Sequence, residues 1–434
     1  MGFWISRTAK RVCVTTGVLL AMWLGAKESS ADDDWRILKY APFSEVRFGP
    51  TTRAPADRGL RSDVPTTRLS FDAFGRRLEL DLQSNDQLIG ELVGEKRARM
   101  GSDLRLYRGA VVGVEDSWLR LAQSGDRWSG MIWDGVELLV VDPVDAVADS
   151  LAEPPAPDAP RNLIYRLSDA EFLTPTSCGL DAENGGGGQL GALGLSLRDS
   201  DSLRALALSG VALEIVVVAD AEFVAANGSD TALAVTSRVN VVDGIFDSQV
   251  GVALSLVEIV ELQSNGTLSS TNAGVLLDQL FDLSASGGIE NPGLAHLFTG
   301  RDLDGTTAGV AFLRSICRTG AGVGLSETRG GGTRGALTVA HEMGHNFGAP
   351  HDNQNGSPCA GTPNGFIMNP FLNGTDTFSQ CSLDQIAPIV EAADCLVPVP
   401  EPGVGEMLAV GVLGLVGARS SLRARLLCAG TVAS

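Results

Sequence analysis

The stretch His341-Glu342-Met343-Gly344-His345-Asn346-Phe347-Gly348-Ala349-Pro350-His351-Asp352 decides how this chain is read. It holds three of the four histidines among 434 residues; the fourth is His296. His341 and His345 stand four apart, so a helix places both imidazoles on one face, one turn apart. Two neutral imidazoles so spaced can bind one Zn²⁺ at about 2.0–2.1 Å each. Glu342 leaves the helix at another angle and reaches water rather than the ion, which suits a general base. Gly348 can take positive φ and end the helix, and Pro350 cannot continue it. The chain therefore turns back, and His351 can supply a third ligand. Three protein ligands leave one position open, as catalytic rather than structural zinc sites do. Val339, Met343 and Phe347 recur every four residues and predict a core-facing stripe.

The bland reading is a buried helix with incidental histidines. A bare H-E-x-x-H would leave that reading open. Here a glycine, a third histidine and a candidate Met-turn, Gly365-Phe366-Ile367-Met368-Asn369-Pro370, all follow. Together they make the metzincin signature, with Met368 as the apolar floor under the metal. The segment resembles the adamalysin (reprolysin) branch of the metzincins, in which an Asp follows the third His, as Asp352 does here. Phe378-Ser379-Gln380-Cys381-Ser382 is similar to that branch's segment after the Met-turn, and Ala295–Asp302 to its upstream strand and turn. The resemblance covers about Val211 to Val397. It implies an α/β zincin (metzincin) domain with a mixed, largely parallel sheet and an active-site helix. It also implies one catalytic Zn²⁺ and a metalloendopeptidase acting on proteins or peptides. The edge strand near Ala308–Leu313 would hold an extended substrate by strand addition.

The residues around the motif fit such layering. Leu213–Val218 is an apolar, β-branched run that reads as a buried strand, and Val252–Leu262 as a second. Asp230 is placed to cap a helix running to about Phe246. Thr271–Leu283 predicts another helix, with Val275, Leu276, Leu280 and Phe281 on its apolar side. Alternating strand and helix argues for α/β layers. Adamalysins often bind calcium, and Glu214 matches the first carboxylate of that site. The second should precede Ala295, where the chain reads Asn291-Pro292-Gly293-Leu294, so calcium is not predicted. His296 reads as a structural residue.

The chain has seven cysteines. Cys317, Cys359, Cys381 and Cys395 lie in the metzincin region, and four cysteines allow three pairings. The adamalysin pattern implies Cys317–Cys395 and Cys359–Cys381. Cys178 is left over, just before Gly179. A thiolate is a good zinc ligand, so Cys178 could fill the open position, similar to the cysteine switch of metzincin zymogens. The competing reading is an unpaired or intermolecular thiol.

The ends point to export. Basic Arg7, Lys10 and Arg11 precede an apolar run from Val12 to Ala26 and small residues up to Ala31, so residues 1–31 read as a signal peptide rather than a membrane anchor. Residues 32–180 carry β-type alternation, as in Leu78–Leu82, and short strand-like runs at Trp118–Leu121, Trp128–Trp133 and Val136–Val141. Phe71–Leu82 and Leu106–Ala122 resemble the reprolysin propeptide; a separate binding domain is the alternative. Residues 181–210 are glycine-rich and low in complexity, and read as a linker with the activation cut. The metzincin domain takes 211–397. Residues 398–434 run from Pro-Glu-Pro through an apolar stretch to basic Arg419, Arg423 and Arg425. That order resembles the PEP-CTERM sorting signal of Gram-negative bacteria, departing from it at Glu406 and in Leu426–Ser434. It implies recognition by an exosortase-type enzyme, transient membrane association, and a secreted, cell-surface or matrix location. The formal charge of −19 argues against nucleic acid as a partner. The rival function is a catalytically silent surface- or matrix-binding module on the same scaffold, which nothing in binding alone would furnish with Glu342.

Overall fold

A computed structural model describes residues 35–44, 47–50, 66–92, 97, 103–156, 159–173, 175–180, 210–328, 332–372 and 374–399. The expected signal peptide, the linker short of Gly210 and the sorting tail from residue 400 onward lie outside these residues, as do Cys13 and Cys428.

Apolar β-branched runs form the C-terminal sheet. Its strands are β1 (Val211–Ala219), β2 (Val252–Glu261), β3 (Leu294–Thr299), β4 (Thr307–Ala311) and β5 (Val323–Glu327), in the order β4-β5-β3-β1-β2. β1 runs parallel to β2 and β3, and β3 parallel to β5; only β4 is antiparallel to its neighbour β5. Val397–Pro398 returns antiparallel along the start of β1. The sheet is therefore mixed and largely parallel. Being buried on both faces, its central strands are continuously apolar rather than alternating.

Five helices accompany it: α1 (Ala221–Asn227), α2 (Thr231–Gln249), α3 (Ala273–Ala285), α4 (Gly335–Phe347) and α5 (Gln380–Ala392). Val216 and Val218 face α3 through Leu276, Leu277 and Leu280. Leu213, Ile215 and Val217 face the opposite way, into a core shared with α2 and α4. Cys317–Cys395 and Cys359–Cys381 are both bridged. The first joins the loop before β5 to the C-terminal segment beyond α5, and the second braces the loop after the third histidine.

Three sequence expectations need correction. Asp230 precedes α2 but makes no capping hydrogen bond; its carboxylate lies 3.5 Å from Arg127 instead, and the helix runs on to Gln249. α3 begins at Ala273 with Asn272 as its cap, and Val275 is 49% exposed. Leu276, Leu277, Leu280 and Ser284 form its buried stripe, and at about 100° per residue Val275 falls on the far side. The third strand-like run begins at Leu138 rather than Val136, which sits in the preceding turn and is 81% exposed.

The N-terminal region is an antiparallel meander of nine strands between Ala41 and Arg166. It rolls up until its ends meet: Phe43 packs against Phe71 with ring centroids 4.8 Å apart, and Arg166 lies over Phe74. One face fills the roll with Leu69, Phe71, Leu80, Leu121, Trp128 and Ile164. The other face, with Leu106, Ala122, Met131 and Val140, packs on α2 and joins the C-terminal core. α2 is consequently buried along nearly its whole length, between two sheets. No helix among the described residues is long and apolar enough to cross a membrane.

Candidate metal centre

α4 is built from residues that pack and turn as the motif demands. Val339, Met343 and Phe347 are buried, as is every residue from Ala336 to Phe347. Gly348 ends the helix at φ 113, and its N–H returns to the carbonyls of Gly344 and His345. The reversed chain then brings His351 against the His341–His345 face.

The three Nε2 atoms form a triangle, with sides of 3.1 Å (His341–His345), 3.2 Å (His345–His351) and 3.3 Å (His341–His351). Tetrahedral ligands at about 2.05 Å from a common ion stand about 3.3 Å apart, so the triangle fits a zinc-sized cation. The opposite nitrogens fix the tautomers. Nδ1 of His341 donates to the Ile367 carbonyl (2.6 Å), that of His345 to the Ala349 carbonyl (2.7 Å), and that of His351 to Gln354 Oε1 (2.8 Å). Each Nε2 therefore turns its lone pair toward the centre. Burial, with the neighbouring rings, holds His341 down to about 3 and His345 well below the usual imidazole range. Three lone pairs so converged repel one another unless a cation lies between them.

Met368 is fully buried under the site. A Cβ on Gly344 would come within 2.6 Å of the Met368 sulfur, so the variable position of the motif must be small here. Asp352 is buried and accepts from Ser379 Oγ (2.8 Å) and Ser382 Oγ (3.3 Å), while its N–H donates to the Met368 carbonyl. The residue after the third histidine thus ties the ligand loop to the Met-turn and to the cap of α5.

Glu342 is buried, and burial pushes its carboxyl up to about 8 against a hydrogen bond from the Cys178 thiol. Oε2 is 3.5 Å from Cys178 Sγ, and Oε1 has no partner among the described residues. Gly309 of the edge strand lies directly over this carboxylate; a Cβ there would come within 2.7 Å of Oε1. The Cys178 sulfur is also 3.4 Å from His345 Nε2, and with the three histidines it forms a donor cluster within 4.8 Å. Ser177–Cys178 is a short strand parallel to β4. It is held from one side by Ser177 N–H to Thr306 and Gly179 N–H to Gly309, and from the other by Cys178 N–H to Pro370 and Leu372 N–H to Thr176.

The structure thus brings together His341, His345, His351, Glu342, Met368 and Cys178, far apart in sequence. His296 stands apart, buried, with Nε2 2.9 Å from Ser326 Oγ. Sequence reasoning missed Gln354, Gly309 and the carbonyls that orient the rings. Gln354, three residues after His351, left the only readable signal.

A helix presenting two imidazoles and a carboxylate, a return loop with a third imidazole and a methionine turn beneath them make a donor set that could hold a metal ion in zincin fashion. The sequence comparisons point the same way. Residues 210–379 match the Reprolysin_5 family model, Metallo-peptidase family M12. Over 214 residues the chain is 31% identical to "A disintegrin and metalloproteinase with thrombospondin motifs 18" of Mus musculus, covering 44% of this chain and 17% of that protein. The Homo sapiens protein of the same name is also 31% identical, over 213 residues, with 44% and 17% covered. "A disintegrin and metalloproteinase with thrombospondin motifs 20" of Mus musculus is 28% identical over 212 residues, covering 43% and 11%. The chain spans less than a fifth of the length of these relatives. The matches support a metallopeptidase domain of the metzincin family in this chain.

Proposed function

We propose that the chain is an exported zinc endopeptidase, made as a latent zymogen, that hydrolyses peptide bonds in proteins. The observation that carries this reading is the Nε2 triangle with the Glu342 carboxylate beside it. His341, His345 and His351 would hold the ion, which when bound supplies Lewis acidity toward a carbonyl and toward water. Glu342 takes the proton of the attacking water on a carboxylate oxygen and hands it to the departing amine nitrogen. The edge of β4 that Ser177–Gly179 now cover orients an extended substrate by strand addition once they leave.

Residues 32–180 act as the propeptide in this reading, with Cys178 as the ligand that occupies the fourth position. Its sulfur's place in the donor cluster supports that role. Two disulfides fit an oxidising compartment and hence export through the leader at 1–31. Sorting at the surface of a Gram-negative bacterium would then fall to the tail at 398–434.

The test uses the full chain carrying Cys178→Ser and cut on both sides of residues 176–180, so that this strand leaves β4, beside the same preparation with Glu342→Ala added. Both should bind one zinc. The first should cleave an unfolded protein, and the second should lose ~10²-fold or more of that rate. Retention of most activity in the double variant removes Glu342 from its role. A folded, zinc-loaded Cys178→Ser preparation that cleaves nothing favours the binding module.

A further inference from the structure

The surface between the N-terminal meander and α2 is built like the inside of a domain. The two share one apolar core, in which Leu106, Ala122, Met131 and Val140 meet Val235, Val239, Val242 and Phe246. Set into it is a polar network whose centre, Arg120 and Asp243, is buried. Arg120 pairs with Asp243 at 3.1 Å, with both side chains at most 4% exposed, and with Asp247 at 3.0 Å. Arg108 reaches the same Asp247 oxygen at 2.8 Å. Asn85 donates to Asn240 and Asp243, and Asn240 donates to the Leu121 carbonyl. Asp243 also accepts the N–H of Leu254 in β2, so the network is anchored inside the C-terminal sheet. Gly244 lets Arg120 and Trp118 lie against the helix backbone.

The surface also holds the segment that leads into the active-site helix and the segment beyond the Met-turn. Asp142 accepts from Thr333 N–H (2.8 Å) and Thr333 Oγ1 (2.7 Å), two residues before α4, and Trp118 donates to Asp376 beyond the Met-turn. Separation would turn Val235, Val239, Val242 and Phe246 of α2, and Leu106, Ala122, Met131 and Val140 of the meander, out of their shared core and toward water.

None of these contacts involves residues 181–209. We propose that the meander stays docked on α2 after the chain is cut anywhere between Leu180 and Gly210. Such a cut by itself therefore leaves Cys178 in the cleft, and latency persists until the 176–180 strand is itself removed or displaced. The cut adds one water across one peptide bond and changes no described contact. Because few residues separate Phe172 from Thr176, the strand remains tethered to a docked body, and its return to β4 is effectively intramolecular. A second cut between the last strand of the meander and Cys178 is the event that frees the cleft. The latency half rests on the metallopeptidase reading; the docking half does not.

The experiment places one recognition sequence for a specific processing protease between residues 185 and 205 of the full chain and compares intact and nicked protein. Fragments are followed by native size exclusion, and alkylation of Cys178 by iodoacetamide is followed by mass spectrometry. The nicked fragments should co-elute and separate only in denaturant. Cys178 should react no faster after nicking than before, and ~10²-fold slower than in denatured chain, the low end of the gain expected from tethering. Fragments that part on nicking overturn the docking. Co-eluting fragments with Cys178 alkylated at the denatured rate overturn persistent latency. Neither readout needs catalysis, so failure of the peptidase reading shows separately, as a chain cut on both sides of residues 176–180 that cleaves no protein.

Discussion

Glu342 shows how much a single residue owes to neighbours outside its motif. Spacing predicts the carboxylate beside the imidazoles, but Gly309, thirty-odd positions upstream, gives it the space it occupies. Asp142 is the residue whose charge most directly reports on the folded chain. It is fully buried and accepts hydrogen bonds from Thr333 and Tyr165, and burial pushes its carboxyl from 3.8 up to about 6 despite them. A raised carboxyl binds its proton more tightly folded than unfolded. Its contribution is therefore present at low pH and lost as pH rises from about 4 to about 6, after which it is flat. A shift of that size corresponds to about 3 kcal/mol. Asp142→Asn keeps an acceptor for Thr333 and has no charge to bury. The stability of wild type relative to this variant, measured by urea unfolding, should fall by about 2 kcal/mol between pH 4 and pH 7, the rest of the ~3 kcal/mol being lost below pH 4. A difference that does not change with pH shows that Asp142 is not desolvated in solution.

At the scale of elements, α4 was legible because its ligands, stripe and stop all recur with helical spacing, and because Gly348 must sit where only glycine is comfortable. A Cβ on Gly348 would meet left-handed backbone strain at φ 113 and the Ile389 side chain at 2.7 Å. Gly348→Ala should cost about 1–3 kcal/mol, seen as a lower urea midpoint at unchanged slope, and should lower zinc content because His351 follows the turn. A midpoint equal to wild type would mean that the loop relaxes freely. α3 and α2 were harder. The apolar residues of α3 outnumber its buried positions, so its apolar pattern points Val275 inward although it faces solvent. α2 has no amphipathic signal because it is covered on both sides, and its cap at Asp230 was claimed by an arginine from another part of the chain.

For the whole molecule, the relation between the two sheets matters most. Arg120 and Asp243 lie 123 positions apart and are both desolvated. Breaking a buried pair by removing one partner strands the other charge, so Arg120→Ala should destabilise the intact chain by about 3–5 kcal/mol in urea unfolding. Loss of less than about 1 kcal/mol, the range of an exposed pair, would place the interface in contact with water. The same variant should make the nicked fragments easier to separate.

The chain by itself determined that His341, His345 and Glu342 share one helix, that the helix stops at Gly348 and that strands and helices alternate in α/β layers, because these follow from spacing, side-chain chemistry and local backbone preference. It left three cysteine pairings open until a family resemblance chose among them. Only the tertiary structure decided which carbonyls and amide orient the imidazoles, that Cys178 meets the same centre as His345, and that the meander and α2 share one core. Those are contacts between residues more than a hundred positions apart, or to backbone atoms that any residue could supply, and neither leaves a pattern in the sequence.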